Sequence, residues 1–263
     1  MLMLRVDNFT YGVLTPALAF VMSWLGAFTG LRCTSRARAY EGPARAFWLL
    51  LAAASIGIMG IWVMHFIAML GFSIPGQPIR YDVPVTVISM LTAVAVVAAG
   101  LFIAGYRRPS FPNLLLAGIV TGAGVAAMHY TGMAAMRMDA TMNYDPLLFA
   151  LSVIIAMTAA TTAFWFALRL RGIAASIGAA LIMAAAVSGM HYTGMAAMRV
   201  WPASGGGMAI GGVSGATFLV PLIVGITVAA ILLIGYVALG PTDDEIRAET
   251  EFVAQLRALG VEI

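Results

Sequence analysis

The chain has 263 residues, of which 62% are apolar and only 10% charged, and its mean hydropathy is +0.98. A soluble domain carries about 25% charged residues, so this chain could not cover its surface in water, and the excess apolar area must face lipid. The net charge of +3 comes from loop arginines. No basic face with interleaved aromatics accompanies them, so they do not point to nucleic acid.

Seven apolar runs follow in order, at about 10–31, 46–71, 83–105, 113–136, 147–168, 174–198 and 214–239. Each is near the roughly 20 residues that cross a hydrocarbon core about 30 Å thick, and none has an arginine in its middle. Backbone groups in lipid must be satisfied internally, which leaves helices or a closed barrel. The runs lack the two-residue alternation of barrel strands, so they are read as helices. The first run is too long for a signal h-region, lacks a small-x-small cleavage site and is followed by arginines, so it too is a span. Cys33, the single cysteine, excludes an intramolecular disulfide and reads as a small residue at the end of that span.

The connecting loops are short, so the expected architecture is all-α: one seven-transmembrane helical bundle over residues 1–240 in the cell membrane. A short acidic tail occupies 241–263, where Ile246, Phe252, Val253, Leu256 and Leu259 suit one amphipathic helix. There is no lysine. The first loop has Arg32, Arg36, Arg38 and Arg45 against Glu41, the third Arg107 and Arg108, the fifth Arg169 and Arg171. The other three have one arginine each: Arg80 with Asp82, Arg137 with Asp139 and Asp145, and Arg199 alone. Arginine-rich loops stay in the cytoplasm, which predicts the N-terminus outside and the C-terminus cytoplasmic.

The stretch MHYTGMAAMR occurs twice, at 128–137 and 190–199, and a divergent copy, MHFIAMLGF, occupies 64–72. These copies hold every histidine of the chain: His65, His129 and His191. A spacing of 62–64 residues equals two spans with their loops, so the bundle reads as three two-helix repeats plus one closing helix. All three histidines then lie at one depth, roughly 8–10 residues from the outer end of their spans and ~10 Å beneath the outer surface. On a helix, position +4 shares the histidine's stripe, and it is methionine each time: Met69, Met133 and Met195. Position −1 is also methionine: Met64, Met128 and Met190. At +3 stand Ala68, Gly132 and Gly194, small enough for close helix approach.

Imidazole and thioether together suit copper, and soft sulfur favours Cu(I). With no carboxylate or thiolate nearby, magnesium, calcium and structural zinc are poor matches. Three histidines and three +4 methionines exceed what one ion needs, so either several ions bind or some members only pack. Methionine is also an ordinary filler of apolar helices, but an intramembrane histidine is by default a functional group. Tyr130 and Tyr192 follow two of the histidines and are candidates for a cofactor contact, whereas Phe66 holds that place in the first copy. Trp62 and Trp201 suit an outer aromatic belt. Asp82 and Asp145, each followed closely by Pro84 or Pro146, suit helix N-caps, and Arg137 and Arg199 suit head-group anchors. Three readings stay open: a copper-dependent sensor, a copper-handling protein, and a structural partner whose histidines bond across helices. The second needs ligands leading to the cytoplasmic side, where only Met22, Met59, Met90, Met157 and Met183 are scattered. No nucleophile–base pair, intramembrane carboxylate pair or phosphate loop supports an enzyme.

Seven spans with M-H-[YF] near the outer ends of the second, fourth and sixth resemble the MHYT domain, a bacterial integral-membrane sensory family, over about residues 8–240. The resemblance implies copper held by Met64-His65, Met128-His129-Tyr130 and Met190-His191-Tyr192, with O₂, CO or NO as the signal. Many family members carry a cytoplasmic output module for cyclic-di-GMP synthesis or breakdown or for DNA binding. The tail is too short for one, which implies a separate cytoplasmic signalling partner.

Overall fold

The computed structural model describes residues 2–107, 110–169, 172–203 and 210–239, with isolated tail positions. Arg108, Arg171 and most of the expected tail helix lie outside the described residues. Among the described residues, seven helices are long and apolar enough to cross a membrane: α1 Leu14–Ala37, α2 Gly42–Leu70, α3 Val83–Tyr106, α4 Phe111–Ala134, α5 Pro146–Arg169, α6 Ile173–Ala197 and α7 Gly215–Leu239. The chain is a multi-pass membrane protein built as a helical bundle.

The expected punctuation is present. Asp82 Oδ1 accepts from the Val85 amide at 3.1 Å, and Asp145 Oδ1 accepts from Leu147 and Leu148 at 3.1 Å each. These bonds satisfy amides that no intrahelical carbonyl reaches. Ser110 caps α4 in the same way. The first helix differs from expectation: it starts later and runs six residues further, to Ala37. The arginines do not end it, because Arg36 is buried and donates to the Val237 carbonyl at 2.6 Å, with its guanidinium 4.9 Å above the Trp48 ring. Cys33 is accordingly a buried residue within α1.

Two neighbours of Arg36 do similar work. Arg38 donates to the Ala167 carbonyl and Arg45 to the Gly105 carbonyl. Val237, Ala167 and Gly105 lie in the last turns of α7, α5 and α3, where carbonyls lack intrahelical donors and the helix dipole favours a cation. Arginines from the first loop region therefore tie three helix ends together.

Within α2 the residues Ser55–Val63 form a π-helical segment, which no periodicity in the sequence announced. Its packing explains it. A Cβ on Gly26 of α1 would overlap the backbone of Gly60, and one on Gly57 would sit 3.0 Å from Val94 Cα of α3. Ser55 Oγ donates to the Gly26 carbonyl at 3.1 Å. Backbone thus meets backbone on both sides of the widened turns, and the segment ends one residue before Met64-His65. Such bulges gather at functional sites. Trp62, in this segment, is fully buried, and its indole donates to Ser89 Oγ at 3.0 Å. That corrects the expectation of an outer aromatic belt: the indole has an internal partner. Trp201 is half-buried on a strand.

The all-α expectation also needs an addition. At the histidine-bearing end, the connections form β1 Arg80–Tyr81, β2 Met136–Arg137, β3 Ala140–Tyr144, β4 Met198–Pro202 and β5 Val213–Ser214. They pair antiparallel as β2-β1-β5 and β3-β4. The N-terminal segment joins them, with the Leu4 amide donating to the Val200 carbonyl at 2.8 Å.

The Gly26–Gly60 contact leaves no flexible side chain to yield. Gly26→Ala is expected to cost about 1–3 kcal/mol, the range for overpacking, seen as a lowered melting temperature in detergent. Gly178→Ala, with nothing within 4 Å of the added methyl, is expected to cause no loss.

Candidate metal centre

His65, His129 and His191 come from α2, α4 and α6, five residues before Leu70, five before Ala134 and six before Ala197. They are nearer their helix ends than the eight to ten residues expected, because the chain turns into the β cover sooner. All three are at most 1% exposed. His65 Nδ1 lies 3.1 Å from His129 Nδ1 and 3.1 Å from His191 Nδ1. The ring centroids are 4.9, 5.0 and 5.1 Å apart and the planes are nearly perpendicular to one another.

Hydrogen bonds alone do not account for this triangle. A neutral imidazole offers one N–H and one lone pair. His65 Nδ1 faces two Nδ1 atoms at once and can satisfy one of them well. A cation would take all three lone pairs. Metal–nitrogen bonds of ~2.0 Å put three ligands ~3.5 Å apart in a trigonal plane, and the three donor atoms here all lie within 4.8 Å of one another. The donor set fits a soft or borderline ion without large rearrangement.

The +3 glycines explain how the rings reach the centre. A Cβ on Gly132 would stand 2.6 Å from His65 Nε2, and one on Gly194 would clash with His129 Nε2. Two of the three imidazoles are thus seated on a glycine of a neighbouring helix, His65 of α2 on α4 and His129 of α4 on α6. The Nε2 atoms of His65 and His129 have no hydrogen-bond partner. The outer edges of these two rings are held by close packing, and their Nδ1 edges turn inward.

The chain was compared with known proteins. It matches the family described as "Bacterial signalling protein N terminal repeat", MHYT, over residues 59–117 and 122–180. The chain belongs to the MHYT family. This MHYT chain is 37% identical over 250 residues to the bifunctional diguanylate cyclase/cyclic di-GMP phosphodiesterase MucR of Pseudomonas aeruginosa, covering 93% of this chain and 36% of that protein. It is 42% identical over 199 residues to the cyclic di-GMP phosphodiesterase NbdA of the same organism, covering 73% of this chain and 25% of that protein. Signaling protein YkoW of Bacillus subtilis is 27% identical over 72% of this chain and 24% of its own length. The match therefore spans about a third or less of these relatives. No solved structure matches.

The remaining motif residues of this MHYT chain are placed as follows. Met64, Met69, Met128, Met133, Met190 and Met195 are all at most 2% exposed and belong to one apolar core. Tyr130 and Tyr192 differ from each other. The Tyr130 hydroxyl is 2.7 Å from Ser152 Oγ on α5, and its ring packs against Tyr144 and Phe149. The Tyr192 hydroxyl is buried without a hydrogen-bond partner, and its ring lies 5.6 Å from that of Phe9.

A cover holds the helix ends over the triad. The position six residues after each histidine accepts a backbone bond: Gly71 from Thr10 at 3.0 Å, Ala135 from Asp82 at 2.9 Å and Ala197 from Asp145 at 2.7 Å. Arg137 then pairs with Asp82 at 2.7 Å, and Arg199 with Asp145 at 3.5 Å while donating to the Ala196 carbonyl. The two arginines expected as head-group anchors instead tie the exit of one helix to the N-cap of another. The repeated RYD and NYD loops hinted at the caps, but no local signal named their partners.

Hydrogen bonding to Arg137 holds the Asp82 carboxyl below the usual carboxylate range. A depressed value means stability that is present at neutral pH and lost as pH falls through that lowered value. Asp82→Asn keeps an N-cap but loses the ion pair. Its melting temperature is expected below wild type at pH 7, with the gap closing on acidification and shrinking in high salt.

Proposed function

We propose that this chain is the sensory membrane unit of a signalling system and holds copper, as Cu(I), through His65, His129 and His191. The observation that carries this is the convergence of three buried Nδ1 atoms from three helices, with no carboxylate or thiolate in the cluster among the described residues. Met64, Met69, Met128, Met133, Met190 and Met195 supply soft sulfur in the surrounding core, and Tyr192 supplies a buried hydroxyl without a partner. Cu(I), when bound, supplies an electron-rich centre able to take O₂, CO or NO as a further ligand.

The arginine-rich connections lie at the end of the bundle opposite the triad, which supports a cytoplasmic C-terminus and an outward-facing metal centre. The recurrence of one backbone bond at Gly71, Ala135 and Ala197 supports three helix pairs closed by α7. Two relatives are named for cyclic di-GMP turnover, so the output is read as control of that second messenger by a cytoplasmic signalling partner. A ligand shifts helix positions only by the difference in its affinity for the two arrangements. The π segment next to His65 is the element with an alternative: relaxing it to α geometry would rotate the ring relative to the other two.

Metal analysis of detergent-purified wild type beside a His129→Ala, His191→Ala double variant tests this. Wild type is expected to retain about one copper per chain and the variant none. Equal copper in both, or none in either, would sink the assignment. Because imidazoles must be neutral to ligate, copper retention is expected to fall as pH is lowered. Gly132→Ala and Gly194→Ala displace imidazoles without removing them, and should weaken copper binding by about 10–100-fold, as for other changes that disturb ligand orientation.

A further inference from the structure

An apolar cavity lies in the bundle below the level of the triad, and its lining is specific to that position. Ile61, Val125 and Val187 all line it, each four residues before a histidine; Val125 and Val187 stand one α-helical turn deeper on the histidine's stripe, and Ile61 takes the matching place in the π segment of α2. At 1.5 Å rise per residue the roof of the cavity is ~6 Å below the level of the rings. Met190, the immediate neighbour of His191, lines it as well. The only hydroxyl in the wall, on Thr121, donates to the Val96 carbonyl at 3.0 Å and offers no spare donor. On α5 the wall is mostly alanine, broken by Phe164, and α6 adds Ala186 beside Met183, Val187 and Met190. Ala159, Ala160 and Ala186 line it and are partly exposed, on two helices that pack side by side.

We infer that this cavity is a binding site for small apolar molecules of diatomic size, entered from the bilayer between α5 and α6 and leading to the underside of the histidine triad. Size sets the class. The space open to the centre of a water-sized sphere is about 60 Å³, and one such sphere needs about 10–15 Å³. That holds a few gas molecules and is too small for an acyl chain. Polarity sets it too, since a cavity without polar partners stays dry and accepts apolar guests such as xenon. Apolar gases concentrate in hydrocarbon, so an opening in the membrane wall meets them at higher concentration than one in water. The β cover closes the opposite side of the triad, which makes the membrane side the open approach. The link to sensing rests on the copper reading, but the cavity's occupancy does not require metal.

Xenon is the probe. Metal-free wild type in detergent or nanodiscs is expected to give saturable xenon-dependent shifts of the Val125, Val187 and Ile61 methyl resonances. Ala160→Phe, which fills the mouth, is expected to abolish them, while Ile154→Phe on the lipid-facing side of α5, 59% exposed, is expected to leave them unchanged. Xenon shifts that persist undiminished in Ala160→Phe, or no saturable shifts in wild type, would overturn the proposal. Ala186→Leu narrows the same mouth from α6 and serves as the second variant should Ala160→Phe fail to fold. Copper content is measured on separate, copper-loaded aliquots of the same preparations. Lost xenon response with copper retained reports on the cavity, and xenon response without copper reports on the metal assignment.

Discussion

Three imidazoles are held edge to edge in the interior of an otherwise apolar bundle, and the rest of the molecule is arranged around that constraint. A polar ring in the membrane interior is costly unless its nitrogens find partners. Here the partners are the other two rings, and each ring must come from a different helix. The helices therefore have to approach closely at that depth. Glycine at 132 and 194 permits it, because a methyl group at either position would occupy the space of an imidazole edge. The identical neighbours of His129 and His191 follow from this packing as much as from any chemistry at the centre.

The two ends of the bundle are secured differently. At the histidine end, short strands, a recurrent backbone bond and two Asp–Arg pairs connect the exit of one helix to the entry of another. At the other end, Arg36, Arg38 and Arg45 grip carbonyls in the last turns of α7, α5 and α3. Between them, α2 carries π-helical turns against the backbones of α1 and α3. A change in spacing at the triad would thus be carried by α2 between two firmly tied ends, which is the geometry a transmitted signal requires.

The apolar cavity gives the site a second face. Ile61, Val125 and Val187, below the rings, line its upper end, and alanines of α5 with Ala186 of α6 line one side. Apart from Phe164, the α5 residues at the cavity are alanines, while Ile154 and Trp165 of α5 are exposed. In the proposed reading the triad is covered by short strands on one side and approached through the apolar cavity on the other, which would suit an apolar signal.

The sequence by itself determined the solvent, the seven spans, the caps at Asp82 and Asp145, and the common depth of His65, His129 and His191. These rest on composition and on periodicity along one chain, which are local properties. The triple motif also revealed the family. Tertiary structure alone decided that the three Nδ1 atoms meet, that Gly132 and Gly194 are the seats of the neighbouring rings, and that Arg137 and Arg199 pair with N-caps. It also decided the π segment, the β cover, the inward burial of Trp62 and the cavity one turn below each histidine. Each of these depends on which helices are neighbours and how far apart they stand, and a helical period specifies the face of a residue but not the partner opposite it.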